Sequence, residues 1–123
     1  MKVLIVEPLK APYIAEIDGS LESMQKIVGG LIQAIYPFDD SVALICNDEG
    51  KLMGLPLNRP LADSSGNIYD IIAGTFFLCA APSASDSFTS LTEEQIRKYT
   101  DYYKRQVVVG IGMDQKAVER GNH

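Results

Sequence analysis

A chain of 123 residues that is 46% hydrophobic, with mean hydropathy near zero, can bury one core and is too short for two. A formal net charge of -5 disfavours a broad phosphate-backbone footprint, because non-specific nucleic-acid affinity comes from clustered Lys and Arg; nucleic acid is not an expected partner. No run approaches the roughly 20 apolar residues that span a bilayer, and Met1-Lys2 leads straight into Val3-Leu4-Ile5-Val6, too short for a signal-peptide core, so a cytoplasmic protein with no membrane partner is expected.

Residues 2–7 form a β-branched run and residues 13–18 alternate, with Pro8 and Pro12 flanking the connection, which predicts two antiparallel strands. A short helix follows. Asp18-Gly19-Ser20 supplies its cap, Leu21, Met24, Ile27 and Val28 its apolar face, and Gly29-Gly30 its stop. Residues 31–36 read as a third strand, ended by Pro37, and residues 42–46 as a fourth. Asn47-Asp48-Glu49-Gly50 has the composition of a turn with a left-handed glycine, so residues 51–55 are expected to return as the second arm of a hairpin. Asn58-Arg59-Pro60 then enters a loop. Asp63 to Asn67 is a polar turn, and residues 68–81 carry either two short strands broken at Ala73-Gly74 or one bulged strand. Residues 82–87 read as a small-residue linker, disordered or acting as a lid. Thr92-Glu93-Glu94-Gln95 is a capping-box pattern, and Ile96, Tyr99, Tyr103 and Val107 fall on one stripe of the helix it opens. The expectation is an α+β domain over residues 1–106: a mostly antiparallel or mixed sheet carrying one short and one longer helix. Residues 107–123 form a tail that adds an edge strand or reaches another subunit.

The only histidine is His123, at the terminus, which removes Ser-His and Cys-His catalysis and most zinc geometries. Cys46 and Cys79 lie in apolar runs without a C-x-x-C pair, so core packing leads over a disulfide or a redox role. Asp39-Asp40 and Asp48-Glu49 are paired acids in turn contexts, where solvated or turn-capping carboxylates are the ordinary case. Gly29-Gly30 and the glycines at 110 and 112 fit no phosphate-loop pattern. Asn58-Arg59 between Pro56 and Pro60 differs: a stiffened backbone presenting an amide and a guanidinium suits a planar anion, the alternative being an ion pair from Arg59 to Asp63 or Asp70. Tyr36, Phe38 and Tyr69 are candidates to stack a base, and Phe76-Phe77 alternate, leaving one of them turned from its own sheet's core.

In the blocks MQKIVGG (24–30), YPFDDSVALICNDEGKLMGLPLNRP (36–60), YDIIAGTFFL (69–78) and FTSLTEEQ (88–95), the chain resembles a family of small proteins of unknown function. These are common in Clostridia-like gut bacteria and their phages, plasmids and integrative elements. The resemblance covers about residues 1–105 and implies a cytoplasmic mobile-element protein without assigned enzymatic activity. Small phage accessory proteins often blunt host defence, one class by sequestering the nucleotide signals of Thoeris or CBASS systems in oligomeric pockets, and membership in that class is an analogy.

The expected function is therefore a non-catalytic, anti-defence sponge for a cyclic ADP-ribose isomer or a cyclic oligonucleotide. It needs neither cofactor nor metal. Asn58, Arg59 and Lys51 would hold phosphate or ribose oxygens, Tyr36, Phe38 or Tyr69 would stack the base, and a homo-oligomer would close the pocket. The alternatives are a protein-interaction module that inhibits a host enzyme and, third, a nucleotide hydrolase using paired carboxylates and a metal.

Overall fold

A computed structural model describes the backbone of residues 1–120 and the side chains of residues 1–106. The apolar run at the start of the chain forms β1 (Lys2–Val6), which pairs antiparallel with β2 (Tyr13–Glu16). Then come α1 (Leu21–Val28), β3 (Ile32–Ile35), β4 (Val42–Asn47), β5 (Leu57–Ala62), β6 (Ile68–Ala73), β7 (Phe76–Ala80) and α2 (Glu93–Arg120). Five strands lie in the order β2-β1-β7-β4-β3, each pair antiparallel, and β5 and β6 make a separate antiparallel pair. The fold is α+β, as the pattern predicts.

Burial on both faces explains why β1, β4 and β7 read as continuous apolar runs. Val3, Ile5, Ala43, Ile45, Phe77 and Cys79 pack with Met24 and Val28 of α1. Leu4, Val6, Leu44, Cys46, Phe76 and Leu78 pack on the opposite side, under Leu61 and Ile72 of the β5–β6 hairpin and Ile96, Tyr99 and Tyr103 of α2. Both Phe76 and Phe77 are therefore core residues, and neither offers a ring to solvent. The two cysteines are free and belong to opposite faces, which keeps them apart; burial pushes the Cys46 thiol up to about 11 and that of Cys79 to about 12.

The helix signals hold at atomic detail. Ser20 Oγ accepts the Ser23 N–H, and Gly29, at φ 82°, closes α1. At α2 the capping box is reciprocal: the Gln95 N–H donates to Thr92 Oγ1 at 3.1 Å and the Thr92 N–H to Gln95 Oε1 at 2.9 Å.

Two expectations in the middle of the chain are corrected. Residues 51–55 do not return as a strand: the Met53 N–H bonds the Glu49 carbonyl and the Leu55 N–H that of Gly50, so the segment coils on itself. Its left-handed glycine is Gly54, at φ 73°, while Gly50 is required for close approach, since a Cβ there would lie 2.5 Å from the Ala73 carbonyl oxygen. Conversely, Asn58-Arg59-Pro60 is not a loop but part of β5, where Pro60 is tolerated because the two-stranded ladder shifts register between Leu57 and Pro60. Residues 82–87 form turns, and Thr89 bridges back to Ala80. Helix α2 runs to Arg120, taking in most of the segment expected as a tail or edge strand; the Val107 side chain, those of the glycine-containing stretch and His123 lie outside the described residues.

Candidate functional site

The Asn58-Arg59 pair is turned inward. Asn58 is 7% and Arg59 2% exposed, which corrects the expectation that a stiff loop presents them to a ligand. Asn58 Nδ2 donates to the carbonyls of Val6 and Gly74, both at 2.9 Å, and Asn58 Oδ1 accepts from Arg59 Nη1 at 2.8 Å. The guanidinium reaches the carbonyls of Glu7 (3.3 Å), Lys10 (2.5 Å) and Tyr103 (3.4 Å). It makes no ion pair with Asp63 or Asp70. One side-chain pair thus ties β5 to the end of β1, the β1–β2 turn, the β6–β7 junction and α2, and burial lowers the Arg59 pKa. A register shift between Leu57 and Pro60 interrupts the strand's alternation, so two consecutive residues are both buried, which the flanking prolines did not signal.

Lys51 is on the surface in an ion pair with Asp70 and does not line the groove that holds the aromatic candidates. Tyr36, Phe38 and Tyr69, by contrast, are brought together. They line one groove of about 730 Å³ between the β3–β4 turn, the β5–β6 hairpin and α2. Tyr36 and Tyr69 are each 61% exposed, so both rings offer free surface. Phe38 anchors the base of the groove, its ring 4.6 Å from that of Tyr99 and edge-on to Tyr102 at 6.2 Å.

Charge around the groove is mixed. Lys98 lies 3.8 Å from Asp40 and over the Tyr99 ring, and Arg105 pairs with Asp101 at 2.9 Å. Burial pushes the Asp40 carboxyl upward, but the Tyr99 hydroxyl at 2.9 Å, the Ser41 N–H and Lys98 outweigh it and hold it below the usual carboxylate range. Burial and the same hydrogen bond raise the Tyr99 hydroxyl. Phe38 and Asp40 thereby fasten the β3–β4 turn to α2.

The family model for a domain of unknown function, DUF3846, matches residues 1–104. The chain belongs to this family. No curated protein and no solved structure matches it. In this DUF3846 chain the groove residues missed from sequence include Lys98, Asp101, Tyr102 and Arg105 of α2. A signal was present: Lys98, Asp101, Tyr102 and Arg105 recur at i, i+3, i+4 and i+7, one face of α2 flanking the buried Tyr99–Tyr103 stripe. Among the described residues no helix is long and apolar enough to cross a membrane.

Proposed function

We propose that the chain is a non-catalytic binding protein that holds a small nucleotide by stacking in the aromatic groove. Convergence of Tyr36, Phe38 and Tyr69 with Tyr99 and Tyr102 on one open concavity carries this reading. Its volume lies in the range of about 300–1,000 Å³ usual for small-molecule sites. The base would lie against Tyr36 and Tyr69, and a phosphate would draw Lys98 or Arg105 from its carboxylate partner. Asn58 and Arg59 build the frame under the site, and Lys51 stands outside it. In a phage or mobile-element setting the ligand would be an immune signal, a cyclic ADP-ribose isomer or cyclic oligonucleotide, sequestered in the host cytoplasm. A second subunit placed over the groove's open side would enclose it.

The test is a panel of cyclic nucleotides, each incubated with the protein and followed by melting and then by chromatography of the released compound. One member is expected to raise the melting temperature, by on the order of 10 °C at a hundredfold excess over Kd, and to be recovered intact. Recovery of cleaved nucleotide would make the protein a hydrolase. An unshifted melting temperature across the panel would sink the nucleotide reading.

A second reading, a protein-interaction module inhibiting a host enzyme, is favoured by one observation: Lys51, Lys98 and Arg105 are all ion-paired, whereas Asp39, Asp48 and Glu49 have no ion-pair partner among the described residues.

A further inference from the structure

The groove does not end at Tyr36 and Tyr69. A second cavity, of about 230 Å³, shares Tyr36, Pro37 and Tyr69 with it and continues between β3 and β6. A third, of about 170 Å³, shares Gln33, Cys46, Asp70 and Ile72 with the second and finishes at the 48–52 turn. Together they form one furrow, with β3 along one wall and β6 along the other.

Strand β3 is the last strand of its sheet, with β4 on one side and no strand on the other among the described residues. The Asp48 N–H donates to the Leu31 carbonyl, which fixes the phase of the β3–β4 ladder: Leu31, Gln33 and Ile35 direct their main-chain groups to β4. Ile32 and Ala34 direct theirs outward. An open row of donors and acceptors is a template for an added strand, and the residues that carry it alternate along β3 with Gln33 and Ile35, which line the furrow.

The charges select what is added. Asp39 stands at the wide end, and Asp48 and Glu49 at the narrow end; all three are exposed. None has an ion-pair partner among the described residues, while the three cations along the furrow are already engaged. An occupant bringing positive charge gains new pairs, and an acidic one meets repulsion.

We propose that the furrow takes an extended basic segment of a partner protein, which adds to the open edge of β3, sets Lys or Arg against Asp48 and Glu49, and places an aromatic residue beside Tyr36 and Tyr69. At about 3.3 Å per residue, the four residues of β3 and the two ends call for a segment of roughly six to eight residues. This rests on the protein-interaction reading and stands independently of nucleotide capture.

Panning a random octapeptide library against the full chain tests it. Enrichment of Lys or Arg at alternate positions is expected, and a selected peptide should bind at least about tenfold more tightly than its Glu-substituted counterpart. Ala34→Pro removes an outward N–H, a change that edge strands tolerate. It is expected to melt near the wild type and lose the peptide at least about tenfold. Asp48→Lys with Glu49→Lys, both at exposed positions, should reverse the charge preference. A library without basic enrichment, a peptide indifferent to both variants, or a dimer in sedimentation that Ala34→Pro dissolves would each overturn the proposal, the last by naming a second copy as the occupant. Nucleotide-induced melting shifts that persist in both variants separate this outcome from the fate of the nucleotide reading.

Discussion

Arg59→Ala is expected to lower the unfolding free energy by about 3 kcal/mol, read as a fall in the midpoint of a urea titration at unchanged slope. The substitution takes one donor, at 2.5–3.4 Å, from each of the carbonyls of Glu7, Lys10 and Tyr103 and from the Asn58 side-chain oxygen, although the Glu7 carbonyl keeps the Lys10 N–H. It also opens a cavity where one of the largest fully buried side chains stood. Against this, a guanidinium without a carboxylate partner, its Nε lacking any acceptor, is itself costly to bury, and removing it returns part of the loss. The balance still favours arginine, because four acceptors lose a charged donor, the side-chain volume is lost, and only one charge is relieved. Arg59→Met fills most of the volume and is expected to lose less than Arg59→Ala. Arg59→Lys should fall between wild type and alanine, since one ammonium cannot span carbonyls on the β1–β2 turn and α2 at once.

Gly50→Ala is expected to cost about 2 kcal/mol, from backbone crowding. The added Cβ would meet the Ala73 carbonyl oxygen at 2.5 Å and the Ala73 carbonyl carbon and Cβ at 3.3 Å, and a backbone oxygen cannot rotate away as a side-chain tip can. The 48–54 turn must lift off the end of β6. Gly54→Ala provides the contrast: nothing lies within 4 Å of its Cβ, and its only penalty is the left-handed backbone at φ 73°, about 1 kcal/mol. Thermal unfolding of the two variants side by side should rank Gly50→Ala below Gly54→Ala. The reverse order would mean that the turn yields freely.

Local patterns made much of this fold legible. The Ser20 and Thr92 caps, the Gly29 stop and the apolar runs of β1, β4 and β7 each report on their immediate neighbours, and each lies where its pattern places it. The middle of the chain was not legible in the same way. Gly50 is a glycine because of Ala73, more than twenty positions away, and Asn58-Arg59 serve carbonyls as distant as Val6 and Tyr103. Local composition can mark such residues as unusual without revealing that their partners lie inside. The site divides similarly. Tyr36, Phe38 and Tyr69 are stacking candidates from sequence, whereas Tyr102 and Arg105 join them only because Phe38 and Asp40 fasten the β3–β4 turn to α2.

In the proposed function the ligand sits in the aromatic groove and not at the Asn58-Arg59 pair. Nucleotide affinity and melting temperature, measured together for Tyr36→Ala/Tyr69→Ala and for Arg59→Lys, distinguish the two. Both tyrosines are largely exposed, so the double variant should melt within about 2 °C of the wild type. Stacking is worth about 1–3 kcal/mol per base, so its affinity should fall by roughly 5- to 150-fold. Arg59→Lys should show the opposite pattern, a lower melting temperature with affinity retained in the folded protein. Unchanged affinity in the tyrosine variant, or lost affinity at unchanged stability in Arg59→Lys, would rule out the groove as the ligand site.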